Sequence, residues 1–454
     1  MAKHINNFYL PIWEKGEKMK KILSLILVLA MVLALGAMFT SCGDSEQGYD
    51  LVPVAKESIK VGLITLHDEN STYDKNFLDA MDRAVANLGL SKDQLIVKKN
   101  IDESDDCYQA AVELVDAGCN VIFADSFGHE DFMMKAAAEY PNVQFCHATG
   151  TKAHTSNLSN YHNAFASIYE GRFVAGIIGG IKLAERVALG ELTAANYDAN
   201  GNIKIGYVGA FPYAEVISGY TSYFLGVKYG YTMATGFETE VKDAKIVMEV
   251  KYTNSWYDEA KEKEAALALI NGGCALLSQH ADSYGAPTAC QEKGVPNVSY
   301  NGSTKSVGST TYLISSKIDW TPYYELMINA VIGGYRITDE YCGGFAEGSV
   351  ALTELNEAAF KNADYLEMAK MVVSTAAEGM AELEVFDASL FTVGGQALTT
   401  YNADVHSDAA YTADTQVVKT VGTGDDAVTF FQESKFRSAP YFDIIIDGII
   451  VPQA

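Results

Sequence analysis

Positive charge is scarce in this chain. Lys and Arg number 33 among 454 residues, against 58 Asp and Glu, for a formal net charge of −25 at pH 7. A polymer this acidic repels phosphate backbones and anionic headgroups, which excludes nucleic acid as a partner. Metal and nucleophile signatures are missing as well. The seven cysteines (Cys42, Cys107, Cys119, Cys146, Cys274, Cys290 and Cys342) form no CxxC pair, and no His stands at zinc-ligand spacing from them. The last six read as small buried hydrophobes. An exported protein could oxidise a pair of them, and spacing alone does not choose one. There is no GxSxG elbow, no HExxH and no Gly-rich phosphate loop; Gly176-Ile177-Ile178-Gly179-Gly180 falls within a helical stretch, not after a strand. No cofactor and no metal are expected. Apolar runs of membrane-spanning length are lacking after the N-terminal region.

That region carries the one long greasy segment. Lys18, Lys20 and Lys21 precede a charge-free run from Ile22 to Phe39, and Thr40-Ser41-Cys42 then gives way to a polar stretch. This length suits a secretory core plus cleavage site and is marginal for a stable span. Thr40-Ser41-Cys42 resembles a bacterial lipobox, with Phe39 where that pattern prefers Leu, and Met19 starts a conventional signal. The expectation is a signal peptide over 1–41, a lipidated Cys42 and a tether over 42–57; the alternative is an uncleaved anchor helix. Both place the remainder outside the cytoplasmic membrane and attached to it.

With 48% apolar and 20% charged residues, the remainder is globular, and its length suits two lobes. From Lys60 onward short β-rich runs alternate with amphipathic helical stretches. Val61 to Thr65 reads as a strand buried on both faces, and Phe77, Met81, Ala84, Val85 and Leu88 recur at helical spacing. Similar pairs follow through Cys146. After a helix around Ile168 to Leu183 the pattern restarts, with strands at Ile205, Ile246, Ala275 and Asn297. The predicted class is α/β, two lobes each a parallel sheet flanked by helices, with a cleft between them. The expected boundaries are 58–163 plus 303–343 for lobe 1, and 164–302 plus 344–454 for lobe 2, with an insertion at about 393–434. The crossings between lobes are expected near Tyr161 to Phe165, Asn301 to Ser306 and Gly343 to Gly348.

In such sheets ligands meet the carboxyl ends of strands. The segments there are His67 to Phe77, Asp125 to His129, Gly209 to Tyr213, Asn254 to Asp258, Gln279 to Ser283 and Asn301-Gly302. Nearly every one holds an aromatic ring, an amide or a carboxylate. That mixture suits a planar, uncharged, hydroxyl-rich ligand: rings stack on it for about 0.5–1.5 kcal/mol per pair, and fixed polar groups read its rim.

Several of these segments, in order, resemble the basic membrane protein (BMP) or PnrA-like lipoproteins. They are Asp74-Lys75-Asn76-Phe77, Phe123 to His129, His147 to Gly150, Tyr169 to Gly176, Phe211-Pro212 with Glu215-Val216, Asn254 to Asp258 with Lys261 to Glu264, and Gln279 to Ser283. The resemblance covers roughly Lys60 to Val350. It implies the type I periplasmic-binding fold and a receptor that delivers a purine nucleoside to the permease and ATPase of an ABC importer, usually as a monomer. It also implies a binding site. Phe77 and Trp256 would sandwich the base from opposite lobes, flanked by Phe127 and Phe211. Asp125 or Ser126, with Asn70 in the first loop, would meet the base edge. Asp282, Asn301 and Lys317 would hold ribose hydroxyls. Trp256 stands where the family usually has Phe, and Asn301 where it often has Asp, so a free nucleobase stays open as a ligand. Two other classes remain: a sensor of the same fold, and a secreted hydrolase using Asp258, His280 or Asp282.

Overall fold

The computed structural model describes residues 51–377, 385–398, 417–423 and 427–452. The signal peptide, Cys42, most of the tether and the middle of the 393–434 insertion lie outside the described residues.

The apolar runs form two sheets. The first unit contains β1 (Val61–Ile64), α1 (Thr72–Asn87), β2 (Leu95–Lys98), α2 (Asp105–Asp116), β3 (Val121–Ala124), α3 (Glu130–Glu139), β4 (Gln144–Ala148), the short α4 (Ala153–Ser156) and β5 (Tyr161–Ala166). The second opens on α5 (Ile168–Ala188) and runs through β6 (Ile203–Gly209), α6 (Ala214–Ala234), β7 (Ile246–Tyr252), α7 (Glu259–Asn271), β8 (Leu277–His280), α8 (Gly285–Lys293), β9 (Asn297–Tyr300) and β10 (Tyr312–Ile318). After these come α9 (Thr321–Gly333), β11 (Glu340–Gly343), β12 (Val350–Leu352), α10 (Ala363–Ala377), the hairpin β13 (Val418–Val421) and β14 (Val428–Phe431), and β15 (Ile449–Ile450).

The sheet orders are β11-β5-β4-β3-β1-β2 and β12-β10-β9-β8-β6-β7-β15, so apart from β15 both lobes wind identically. Every pairing in the two is parallel except β10 with β12. Helices cover both faces of the central strands, and in β1 and β3 the residues Val61 to Ile64 and Val121 to Ala124 are all buried. The α/β class and the two sheets flanked by helices thus stand as expected.

The chain crosses between lobes after β5, after β10 and between β11 and β12. The second crossing departs from the one expected near Asn301 to Ser306. Residues 303–318 do not join lobe 1, because β10 pairs with β9 and β12 in the second sheet. No helix separates β9 from β10, so the strand–helix rhythm gave no cue that the lobe continued. The return to lobe 1 comes with α9, which packs on α1.

Two long helices support the second lobe's side of the cleft. α5 and α6 pack so closely that a Cβ on Gly176 would stand 2.3 Å from the Tyr223 carbonyl oxygen, and one on Gly226 2.0 Å from that of Phe173. Gly180 and Gly230 repeat the arrangement one turn on. The glycine run that looked wrong for a phosphate loop is therefore a helix-packing surface.

Beyond α10, the chain touches both lobes. β15 adds to the second sheet beside β7, and Phe386 lies 5.5 Å from Tyr169 at the start of α5. Ser438 reaches the other lobe, its amide donating to Glu340 Oε2 of β11 at 2.8 Å.

Candidate ligand-binding cleft

The carboxyl ends of both sheets face one another across a cavity. From lobe 1 it is lined by Leu66, His67, Tyr73, Asp74, Ser126, Phe127 and Thr149, and from lobe 2 by Glu215, Trp256, His280, Asp282 and Tyr300. Contacts across the cleft mark a closed arrangement. Thr72 Oγ1 donates to the Asp282 carbonyl at 3.1 Å, and Asn76 Nδ2 to the Asn301 carbonyl at 2.8 Å. The His67 and Tyr257 rings lie 5.7 Å apart, those of Phe127 and Tyr213 5.9 Å.

The lobe 1 wall is set by the start of α1. Ser71 caps the helix by accepting the Asp74 amide at 3.2 Å. Asp74 Oδ1 in turn accepts the His67 amide at 2.7 Å, folding the preceding loop back on the helix. Tyr73 donates its hydroxyl to the Asp125 carbonyl at 2.6 Å, fixing the ring in the cleft. Ser126 donates to Glu103 Oε1 at 2.6 Å, and its carbonyl meets His147 Nε2 at 2.6 Å. Burial pushes the His147 imidazole down to about 4.

The lobe 2 wall rests on the α5–α6 pair. Arg172, 2% exposed, donates from Nη1 to the Tyr207 hydroxyl at 2.8 Å and to the Gln279 carbonyl at 3.2 Å. Its guanidinium lies 3.6 Å from the centre of the Tyr300 ring. His280 Nε2 meets Glu215 Oε1 at 3.3 Å. Burial, then the Arg172 charge, push His280 well below its usual range, so it is neutral. Burial raises Glu215 to about 7, with Arg172 opposing. Asp282 is pushed well above the carboxylate range, first by burial and then by Glu262, Asp74 and Glu215. Glu262 Oε1 accepts the amides of Asp258 at 3.2 Å and Ser283 at 3.3 Å, tying together the segments that carry Trp256 and Asp282.

Four of the ten predicted ligand-binding residues line the cavity: Ser126, Phe127, Trp256 and Asp282. Six do not. Phe77 is the main correction: it is 1% exposed, stacked on Trp320 at 4.5 Å, and Tyr73, one turn earlier, occupies the cleft. Asp125 is buried behind the wall, accepting the Leu66 amide at 3.1 Å. Asn70 is exposed and bonds Asp68 Oδ1 at 2.8 Å. Phe211 stacks on Tyr213 at 5.0 Å and meets Trp256 edge-on at 5.2 Å, so it supports the ring that lines the cleft. Asn301 engages Asn76 across the cleft, and Lys317 sits in β10 opposite Ala351. Sequence reasoning missed Tyr73, Asp74, Glu215 and Tyr300. Asp74 and Glu215 lay inside the family-like segments, and Tyr300 ends a strand whose following residues alone were considered.

Of the residues proposed for a hydrolase, one has a structural role. Asp258 caps α7 by accepting the Lys261 amide at 3.0 Å and pairs with Lys261 Nζ at 2.9 Å. Among the described residues no cluster of His, Cys, Asp and Glu could hold a metal, and no helix is long and apolar enough to cross a membrane.

Residues 61–375 match the family model described as ABC transporter substrate-binding protein PnrA-like. The chain is 30% identical over 301 residues to a purine-binding protein of Brucella abortus (strain 2308), covering 66% of this chain and 76% of that one. It is 33% identical over 235 residues to a Haloferax volcanii protein provisionally named as the glucose-binding protein of an ABC transporter, covering 52% of each. Among solved structures, a solute-binding protein of an ABC transporter system from Conexibacter woesei DSM 14684 superposes with a TM-score of 0.51 at 18% identity, covering 72% of this chain and 98% of that one. Sequence and fold therefore agree, and the chain belongs to the PnrA-like family of ABC transporter substrate-binding proteins.

Proposed function

We propose that this protein is an extracytoplasmic receptor, lipid-anchored through Cys42, that captures a purine and hands it to the permease and ATPase of an ABC importer. The observation that carries this reading is the closed interlobe cavity, with Tyr73 and Phe127 on one side and Trp256 and Tyr300 on the other. Rings from both lobes suit a flat heterocycle, and they come together only on closure. Ligand binding thus favours the closed state. A switch from mostly open to mostly closed takes about 5.5 kcal/mol of differential binding, which a sub-micromolar ligand, at about −8 kcal/mol, supplies.

A free base fits better than a nucleoside. Of the three residues the family resemblance assigns to ribose, only Asp282 lines the cavity. The Brucella relative named as purine-binding supports the same ligand class. A carrier function, in place of hydrolysis, is supported by the helix-capping role of Asp258.

Calorimetric titration of the purified protein with adenine, guanine, their nucleosides and glucose tests the ligand class. Saturable binding of a base is expected; binding of glucose with no response to any purine rejects the reading. Metabolic labelling with a fatty acid, lost in Cys42→Ala, tests the anchor. Loss of purine uptake on deletion of the protein separates transport from sensing.

A further inference from the structure

The cleft walls are unusually one-signed. Asp74 from lobe 1 and Glu215 and Asp282 from lobe 2 all line the cavity, and no Lys or Arg does. Asp125 stands immediately behind, with Oδ2 lacking a partner among the described residues. The nearest cation, Arg172, lies beneath the floor, committed by Nη1 to Tyr207 and Gln279 and stacked on Tyr300.

The carboxyls also have acceptor capacity left over. The Asp282 carboxyl makes no hydrogen bond among the described residues, although the residue is only 7% exposed. Glu215 receives one long bond from His280 Nε2, at 3.3 Å. Asp74 Oδ1 receives the His67 amide, with no hydrogen bond from the opposite wall among the described residues. A carboxylate enclosed on closure is costly unless a donor or a positive charge meets it. The upward displacement of Glu215 and Asp282 expresses the same deficit. By contrast the Thr149 and Tyr300 hydroxyls, both without partners, can turn either way and tolerate a ligand carbonyl.

Building on the purine reading, we propose that the cleft selects aminated purines, whose rim presents N–H donors or a delocalised positive charge, and rejects acidic oxo-purines. Adenine and guanine present amino groups to the carboxyls while their faces meet the rings. Xanthine and urate bring carbonyls and readily acquire negative charge, for which the cavity lining offers no Lys or Arg.

Competitive titration of the purified protein with adenine, guanine, xanthine and urate at neutral pH tests this. The better of adenine and guanine is expected to bind at least about tenfold more tightly than either xanthine or urate. Equal or tighter binding of xanthine or urate overturns the proposal and leaves the purine reading standing; no binding of any purine overturns both. Glu215→Gln and Asp282→Asn, each checked for an unchanged melting profile, are expected to bring the ratio towards one. An unchanged ratio in both variants also overturns it. Should either variant fail to fold, the wild-type ratio still decides.

Discussion

Tyr73 and Phe77 stand one helical turn apart on α1 with ring centroids 4.9 Å from each other, and only Tyr73 reaches the cleft. Phe77 lies between it and Trp320, a packed support for a ligand-facing ring. The two substitutions should therefore part company. Tyr73→Ala is expected to weaken base binding by about 1–3 kcal/mol with a small effect on melting. Phe77→Ala is expected to cost about 3–5 kcal/mol of stability. Calorimetric titration paired with denaturant unfolding checks both. A greater loss of affinity than of stability in Phe77→Ala would restore its direct role.

Asn76 and Asn301 hold the lobes together. Asn76 donates to the Asn301 carbonyl at 2.8 Å, and Asn301 adopts a left-handed backbone, φ 61°, that turns this carbonyl towards α1. Asn76→Ala should shift the unliganded protein towards the open form and weaken binding severalfold, about 1 kcal/mol for one such bond. Small-angle scattering should show a larger radius without ligand and an unchanged one with it.

Affinity should depend on pH. Glu215, raised to about 7, faces the neutral His280 and the Arg172 charge from its own lobe, with Asp282 and Tyr73 nearby. Its deprotonated form accepts N–H groups. Binding of an aminated purine is therefore full above about pH 7 and falls as Glu215 takes up a proton. Several-fold weaker binding at about pH 6 than at about pH 8 is expected. Glu215→Gln should flatten the profile.

Glu262 predicts a second pH effect, on stability. Burial raises it from 4.5 to about 7, and its Oε2 lacks a partner among the described residues. Between those values the folded state holds a proton that the unfolded chain has released. The native state is thus destabilised as pH rises, by up to about 3 kcal/mol once above 7. Glu262→Gln keeps an oxygen for the Asp258 and Ser283 amides, and its melting temperature should fall less from pH 5 to pH 8 than that of the wild type.

The sheets could be read from the sequence because several strands covered on both faces are apolar runs, as Val61 to Ile64 and Val121 to Ala124 are. The site was only half legible. Ser126, Phe127, Trp256 and Asp282 lie in loops directly after strands, where chain position alone aims them at the cleft. Tyr73 and Glu215 lie on helices, and which residue faces the ligand depends on how each helix is rotated against its sheet. Trp320 decides this for α1 by burying Phe77, and it is some 240 residues away in sequence. The position of Lys317 depended likewise on which sheet claims β10.

Ser438 grips Glu340 on one lobe while β15, a few residues on, is stitched into the other. This segment lies past the stretch that matches the family model. The protein thus wears a strap across its own hinge. Opening the lobes must therefore break the Ser438–Glu340 contact or carry the tail along with β11.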